Sequence, residues 1–202
     1  MNAYIVVHPV PKHLKQMISI KDGDFLIAVD QAVEDVILQG FHINLAVGDF
    51  DSLKNHALLK GLEVLRLDVE KDLTDTESAL IYASKMGFKA INLVGGLGGL
   101  RFEHSYANIL LLSKFKNLSI ITEQSKVFKL SVGRHKLEFD GYVSLFALED
   151  SILSLEGFKY LLNDYELNIT NSIGISNEIV DSFGIVDIKY GSLLVFLTKK
   201  EQ

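Results

Sequence analysis

Two aspartates one residue apart, Asp49 and Asp51, follow the apolar run Leu45-Ala46-Val47 and its closing Gly48, with Phe50 between them and Ser52 after them. A short apolar run that ends in turn chemistry reads as a buried strand, and the loop past its carboxyl end is where open α/β sheets bind ligands. On an extended exit from the strand, a period of two puts both carboxylates on one side and Phe50 on the other. Such a pair suits a hard cation such as Mg²⁺, which is held by one or two carboxylates together with substrate phosphates. The same Asp-Phe-Asp-Ser also suits a solvated turn followed by a helix cap.

Two later stretches have similar chemistry. Asp72 and Asp75 crowd the start of a predicted helix beside Lys71, where Thr74 and Glu77 have the spacing of a capping box. Capping accounts for Thr74 and Glu77; the two aspartates suit either a solvated acidic turn or a metal or phosphate site. Further on, Gly95-Gly96-Leu97-Gly98-Gly99 runs into Leu100-Arg101-Phe102-Glu103-His104. Glycines there let the backbone approach a ligand and aim amides at an anion, and Arg101 adds a fork of donors suited to phosphate. The loop matches neither the dinucleotide fingerprint nor the P-loop. A buried tight turn is the alternative; the place after a strand, with an arginine and a histidine, favours phosphate. Asp30 closes another apolar run, as both a natural helix N-cap and a strand-end carboxylate.

The elements that must position these residues follow from periodicity. Short β-rich runs predict strands at 4–7, 25–29, 45–47, 64–67, 90–94 and 118–122. Helical spacing predicts helices over 12–20, from Val33 to Gly40, 52–60, from Thr74 to Gly87 and 105–113. Strands alternating with helices imply a mainly parallel sheet, and right-handed crossovers bring the carboxyl ends of its strands to one edge. Asp49/Asp51, Asp72/Asp75 and the glycine loop then share that edge. From Ser125 onward helical periods give way to short runs at 127–130, 136–139, 143–147, 152–155, 184–188 and 193–197, which predict an antiparallel sandwich or barrel. The expected division is an α/β domain over 1–124 and an all-β domain over 125–202.

Composition narrows the function classes. The chain has 202 residues, 48% of them hydrophobic, which is enough for a real core. Its net charge of −6 and the lack of a basic stripe argue against a nonspecific nucleic-acid binder. Without cysteine there is no disulfide, thiolate zinc site or cysteine nucleophile. No apolar run approaches the roughly 18 residues of a membrane span and the start lacks a basic signal region, so no membrane association and a cytoplasmic location are expected.

The chain resembles the thiamine pyrophosphokinase family in four ordered motifs: Gly48-Asp49-Phe50-Asp51-Ser52; Lys71-Asp72-x-Thr74-Asp75-x-Glu77; Gly96-x-x-Gly99-x-Arg101-x-Glu103-His104 with Asn108; and Gly174-Ile-Ser176-Asn177. The resemblance implies an α/β catalytic domain, a β-sandwich domain, and a homodimer with each thiamine site near the subunit interface. The implied reaction converts ATP and thiamine to AMP and thiamine diphosphate. By position, Asp49, Asp51 and Asp75 are implied Mg²⁺ ligands with Asp72 close by as a further catalytic carboxylate. Asp30, Thr74, Gly96, Gly98, Gly99, Arg101 and His104 fall on the ATP side, and Ser176 and Asn177 on the thiamine side. Leu100, Glu103 and Gln31 depart from the family pattern, at a usual glycine, a usual aspartate and a usual Asp-Gly-Gly. They bear on the phosphate geometry. Three rivals keep part of this machinery: a diphosphotransferase acting on another hydroxymethyl heterocycle such as a pterin, an Asp-x-Asp nucleotide-sugar transferase, and a noncatalytic nucleotide- or thiamine-binding regulator.

Overall fold

A computed structural model describes residues 1–68 and 72–200 of the chain. It divides into two compact units, Met1–Glu123 and Gln124–Gln202.

The first unit is built on six strands: β1 (Asn2–Val7), β2 (Phe25–Val29), β3 (Leu45–Gly48), β4 (Val64–Arg66), β5 (Ala90–Gly95) and β6 (Leu118–Ile121). Their order is β6-β5-β1-β2-β3-β4, and every neighbouring pair is parallel. The chain therefore winds outward from β1 to β4, then returns to the other side of β1 for β5, so the winding reverses between β1 and β5. That reversal is where open sheets of this kind form a crevice.

The helices are α1 (Leu14–Met17), α2 (Ala32–Leu38), α3 (Asp75–Lys85) and α4 (Phe102–Lys114). Alternation along the strands divides the core between the two faces of the sheet. Val6, Leu26, Ala28, Ala46 and Val94 pack with Ala32, Val33 and Val36 of α2, and with Phe50 and Leu53 beyond β3. The intervening Ile5, Ile27, Leu45, Val47 and Leu93 are also fully or almost fully buried, and α3, with Ala79, Leu80 and Ala83 buried, packs across β1, β2, β3 and β5. Runs buried on both faces explain why these strands read as continuous apolar segments.

Two predicted helices are shorter than their patterns. The one expected over 12–20 is the single turn α1. The one expected over 52–60 is only a 3₁₀ turn, His56–Leu59. Its sequence is rich in side chains that bond nearby backbone: Asp49 Oδ1 accepts from the Asp51 amide at 3.0 Å, and Asn55 Oδ1 accepts from the Ala57 amide at 3.1 Å. Such local bonds offer the chain an alternative to the helical ladder. In contrast, α4 starts three residues before the expected Ser105.

The second unit is antiparallel throughout: β7 (Ser125–Leu137), β8 (Tyr142–Ala147), β9 (Ser151–Glu156), β10 (Leu162–Leu167), β11 (Asn177–Glu178) and β12 (Gly184–Thr198). β12 pairs with β9 through its first half and with β8 through its second, changing register near Ile188–Ser192, while β7 follows it along both halves. The four runs expected at 127–130, 136–139, 184–188 and 193–197 are thus two long strands, because polar residues at the irregularity mimic a turn. Leu145, Leu153, Leu155, Val186, Ile188, Leu193 and Val195 form one buried cluster inside this unit. No helix among the described residues is long and apolar enough to cross a membrane.

Gly95 marks a close approach of backbone to backbone in the first unit. It has φ +83°, and a Cβ there would lie 2.5 Å from the Pro9 carbonyl oxygen and 2.6 Å from that of Val7. Gly95→Ala therefore meets both a backbone clash and a left-handed conformation, and should lower unfolding stability by about 2 kcal/mol or more, read as a drop in Cm at unchanged m.

Candidate functional site

The carboxyl ends of β2 and β3 supply the carboxylates. Asp30 leaves β2 in a left-handed conformation, φ +51°, which aspartate tolerates better than most residues. It does not cap α2: the N-cap position is Gln31, without a side-chain cap bond. Next to it, Gly48 ends β3, and a Cβ on Gly48 would sit 3.2 Å from both the nitrogen and the Cα of Asp30. The absence of that side chain is what lets the two strand ends close up.

Beyond Gly48 the chain is not the simple extended exit that the alternation argument assumes. Phe50 has φ +64° and its ring is fully buried, so the backbone turns sharply between Asp49 and Asp51. The turn still leaves the carboxylates together and brings Asp30 to them. Oxygen atoms of Asp30, Asp49 and Asp51 all lie within 4.8 Å of one another. Two full charges at that distance repel by about 3 kcal/mol at an effective dielectric of 20, and by about 1 kcal/mol in water.

The Asp30 carboxyl is pushed above the ordinary aspartate value, first by burial, with the Asp49 and Asp75 charges adding to it; bonds from the Ser52 hydroxyl and the Gln31 amide oppose the shift. Its Oδ1 is buried and has no hydrogen-bond partner. Ser52 Oγ also lies 2.7 Å from Asp51 Oδ1, so its single proton is shared between the two carboxylates. An all-oxygen group with a buried, unsatisfied carboxylate oxygen fits a hard divalent cation, which favours oxygen ligands over nitrogen or sulfur.

α3 brings Asp75 to the same strand ends, and its charge acts on Asp30. Thr74 is confirmed as its N-cap, Oγ1 accepting from the Glu77 amide at 3.1 Å, and the Glu77 carboxylate pairs with the Lys114 ammonium. Asp72 is exposed just before this cap, and Lys71 lies outside the described residues.

The glycine loop is more internally committed than an open anion cradle. The Gly96 amide donates to the Pro9 carbonyl at 3.3 Å, and the Gly98 amide to Ser105 Oγ at 2.8 Å. Buried Asn108 donates from Nδ2 to the Gly96 carbonyl at 2.8 Å. These two amides brace the loop instead of pointing at an anion, which corrects that part of the expectation. Gly98 and Gly99 are exposed, as are Arg101 and His104. Arg101 Nε donates to Glu103 Oε1 at 3.0 Å, and His104 Nε2 is 3.8 Å from the same oxygen. The Glu103 carboxyl is held below its ordinary value by its own backbone amide and then by Arg101.

In the second unit, Ser176 is exposed, with φ +56° and its amide donating to Ser144 Oγ at 3.0 Å. Asn177 is buried and works as a brace: its Oδ1 accepts from the amides of Tyr160 and Glu178 at 3.0 and 2.9 Å, and its Nδ2 donates to the Tyr160 carbonyl at 2.7 Å. Sequence reasoning could not foresee this, since Tyr160 is 17 residues away.

A parallel sheet with a carboxylate group at the carboxyl ends of β2 and β3, followed by an antiparallel β unit, places the chain among two-unit α/β-plus-β proteins. Residues 17–122 match the family described as thiamin pyrophosphokinase, catalytic domain, and residues 129–195 the one described as thiamin pyrophosphokinase, vitamin B1 binding domain. The thiamine pyrophosphokinase of Bacillus subtilis (strain 168) is 31% identical over 182 residues, 84% of this chain and 85% of that protein. A crystal structure of thiamine pyrophosphokinase from Bacillus subtilis superposes with a TM-score of 0.89 at 27% identity, covering 100% of both chains. One from Geobacillus thermodenitrificans gives 0.87 at 27% identity, covering 100% of this chain and 99% of that one. The chain belongs to the thiamin pyrophosphokinase family.

Two predictions follow from the site's geometry. Because the Asp30 pKa is raised in the folded state, its ionised form costs stability above that pKa. Asp30→Asn should therefore unfold at a higher temperature than wild type at pH 7 in chelator, with the difference closing as pH falls below the ordinary aspartate value of 3.8. Asn177→Ala removes three bonds of a buried side chain to the Tyr160 and Glu178 backbone and should lose about 1–2 kcal/mol, measured by urea unfolding.

Proposed function

We propose that the chain is an ATP:thiamine diphosphotransferase, transferring the pyrophosphoryl group of ATP to the primary hydroxyl of thiamine to give thiamine diphosphate and AMP. The observation that carries this reading is the match of both units, one to each thiamin pyrophosphokinase domain, together with the carboxylate group at the strand ends of the first. Of the rivals, a pterin enzyme or a sugar transferase leaves the match over 129–195 unexplained.

In this reading residues 1–124 form the catalytic domain and residues 125–202 the thiamine-binding domain, the change of β12 from β9 to β8 along its length supporting a β-sandwich. Asp30, Asp49 and Asp51, with Asp75 beside them, hold Mg²⁺. Mg²⁺ when bound supplies charge neutralisation for the ATP phosphates. Arg101 is placed to bind a phosphate once it is released from Glu103, and His104 is a secondary contact; Gly98 and Gly99 leave room for the backbone to approach the nucleotide. The thiamine hydroxyl oxygen attacks the β-phosphorus, the bond from that phosphorus to the α,β-bridging oxygen breaks, and AMP leaves. The hydroxyl proton passes to a carboxylate at the start of α3, Asp75 or Asp72. Ser176 faces the aminopyrimidine, with Asn177 holding the backbone that presents it. We read the enzyme as a cytoplasmic homodimer without membrane or nucleic-acid partners. Exposed Phe102, Tyr106 and Leu110, spaced four apart along α4, support self-association.

AMP release should require ATP, Mg²⁺ and thiamine together. Asp51→Asn keeps the side-chain shape and should lower kcat by about 100-fold or more while leaving the unfolding midpoint in chelator within about 0.5 kcal/mol of wild type. Thiamine binding without AMP production would instead identify a regulator, and turnover of a hydroxymethylpterin alone would identify the pterin enzyme.

A further inference from the structure

Arg66 is a residue that neither the motifs nor the reaction uses. It is the last residue of β4 and lies opposite Gly48 in the parallel pairing with β3, where the Leu67 amide also donates to the Gly48 carbonyl at 3.0 Å. From there its guanidinium reaches the turn that carries the two aspartates. Nη1 donates to the Asp49 carbonyl at 3.4 Å, and Cζ stands 5.4 Å from the centroid of the Phe50 ring. Phe50 is the bulky residue forced to positive φ between Asp49 and Asp51. A left-handed conformation at such a residue persists only where its surroundings over-determine it. Three contacts do so here: the Asp49 side chain on the Asp51 amide, the Phe50 carbonyl on the Leu53 amide at 3.2 Å, and Arg66 across the outside of the turn. The first two lie within the turn itself; Arg66 ties it to the sheet.

We propose that Arg66 is a positioning residue: by holding the Asp49 carbonyl and the Phe50 ring it fixes the left-handed turn that aims Asp49 and Asp51 at Asp30, and so sets the affinity of this group for a divalent cation. The inference rests on the reading of these carboxylates as a cation site. It runs against simple electrostatics, in which a nearby guanidinium repels a cation and its removal tightens binding. Opposite signs make the two accounts separable.

The test uses the full chain without nucleotide, with Mn²⁺ binding followed by the electron paramagnetic resonance of the free ion, and amide hydrogen exchange at Asp51 and Leu53 measured in the same samples. Arg66→Met keeps the apolar stem and removes the charge and the donors; Arg66→Lys keeps the charge but not the planar fork. Positioning predicts about tenfold weaker Mn²⁺ binding and faster exchange at both amides in Arg66→Met, with weakening also in Arg66→Lys. Equal or tighter Mn²⁺ binding by Arg66→Met overturns the proposal, as does unchanged exchange. If wild type binds no Mn²⁺, the cation reading fails on its own, and the exchange rates alone decide whether Arg66 holds the turn.

Discussion

Mutual repulsion among carboxylates is the constraint on which the first unit turns. Asp30, Asp49 and Asp51 share a space less than 5 Å across, and the charge of Asp75 bears on the same point. Nothing in their own chemistry would gather them; the parallel sheet does, because right-handed crossovers return every strand in the same direction and so leave their carboxyl ends on one edge. The apolar burial of β1, β2, β3 and β5 on both faces supplies the stability against which this unfavourable local arrangement is held. Part of the cost appears in the Asp30 carboxyl, which is pushed up in pKa and keeps one buried oxygen without a partner.

The backbone around the group is strained in a consistent way. Asp30 and Phe50 both adopt positive φ, and Gly48 between the strands lets them approach. Local hydrogen bonds from Asp49, Ser52 and Asn55 stabilise this turn at the expense of a helix. An apolar pattern that on its face suits a helix over 52–60 therefore yields only one 3₁₀ turn. The glycine loop shows the complementary behaviour: its Gly96 and Gly98 amides are tied to Pro9 and Ser105, and Asn108 anchors it from α4. The loop is thus braced from within, and beyond it Arg101 and His104 are exposed, with Arg101 bonded to Glu103.

The second unit follows a different logic. Its longest strand, β12, exchanges β9 for β8 along its length while β7 follows it throughout, and a single buried cluster is enclosed without helices. Asn177, within the motif shared with the family, serves here as a buried brace for the Tyr160 backbone. Membership of the thiamin pyrophosphokinase family ties these two architectures to one reaction.

The sequence by itself determined the six strands of the first unit, the Thr74 cap and the change of texture near Ser125, because each rests on local periodicity or on a side chain bonding its own neighbourhood. It also pointed to Asp49, Asp51 and the glycine loop, since carboxylates and glycines at strand ends are visible as spacing. Only the tertiary structure decided that Asp30 joins the carboxylate group instead of capping α2, that Gly96 and Gly98 amides are consumed internally, and that the short strand-like runs of the second unit merge into β7 and β12. Each of these depends on a partner far away in the chain: Asp30 meets Asp49 through strand adjacency, Gly96 meets Pro9 across β5 and β1, and β7 finds β12 some 60 residues later. Which donor meets which acceptor at such separations is set by packing the whole sheet, and no local pattern carries it.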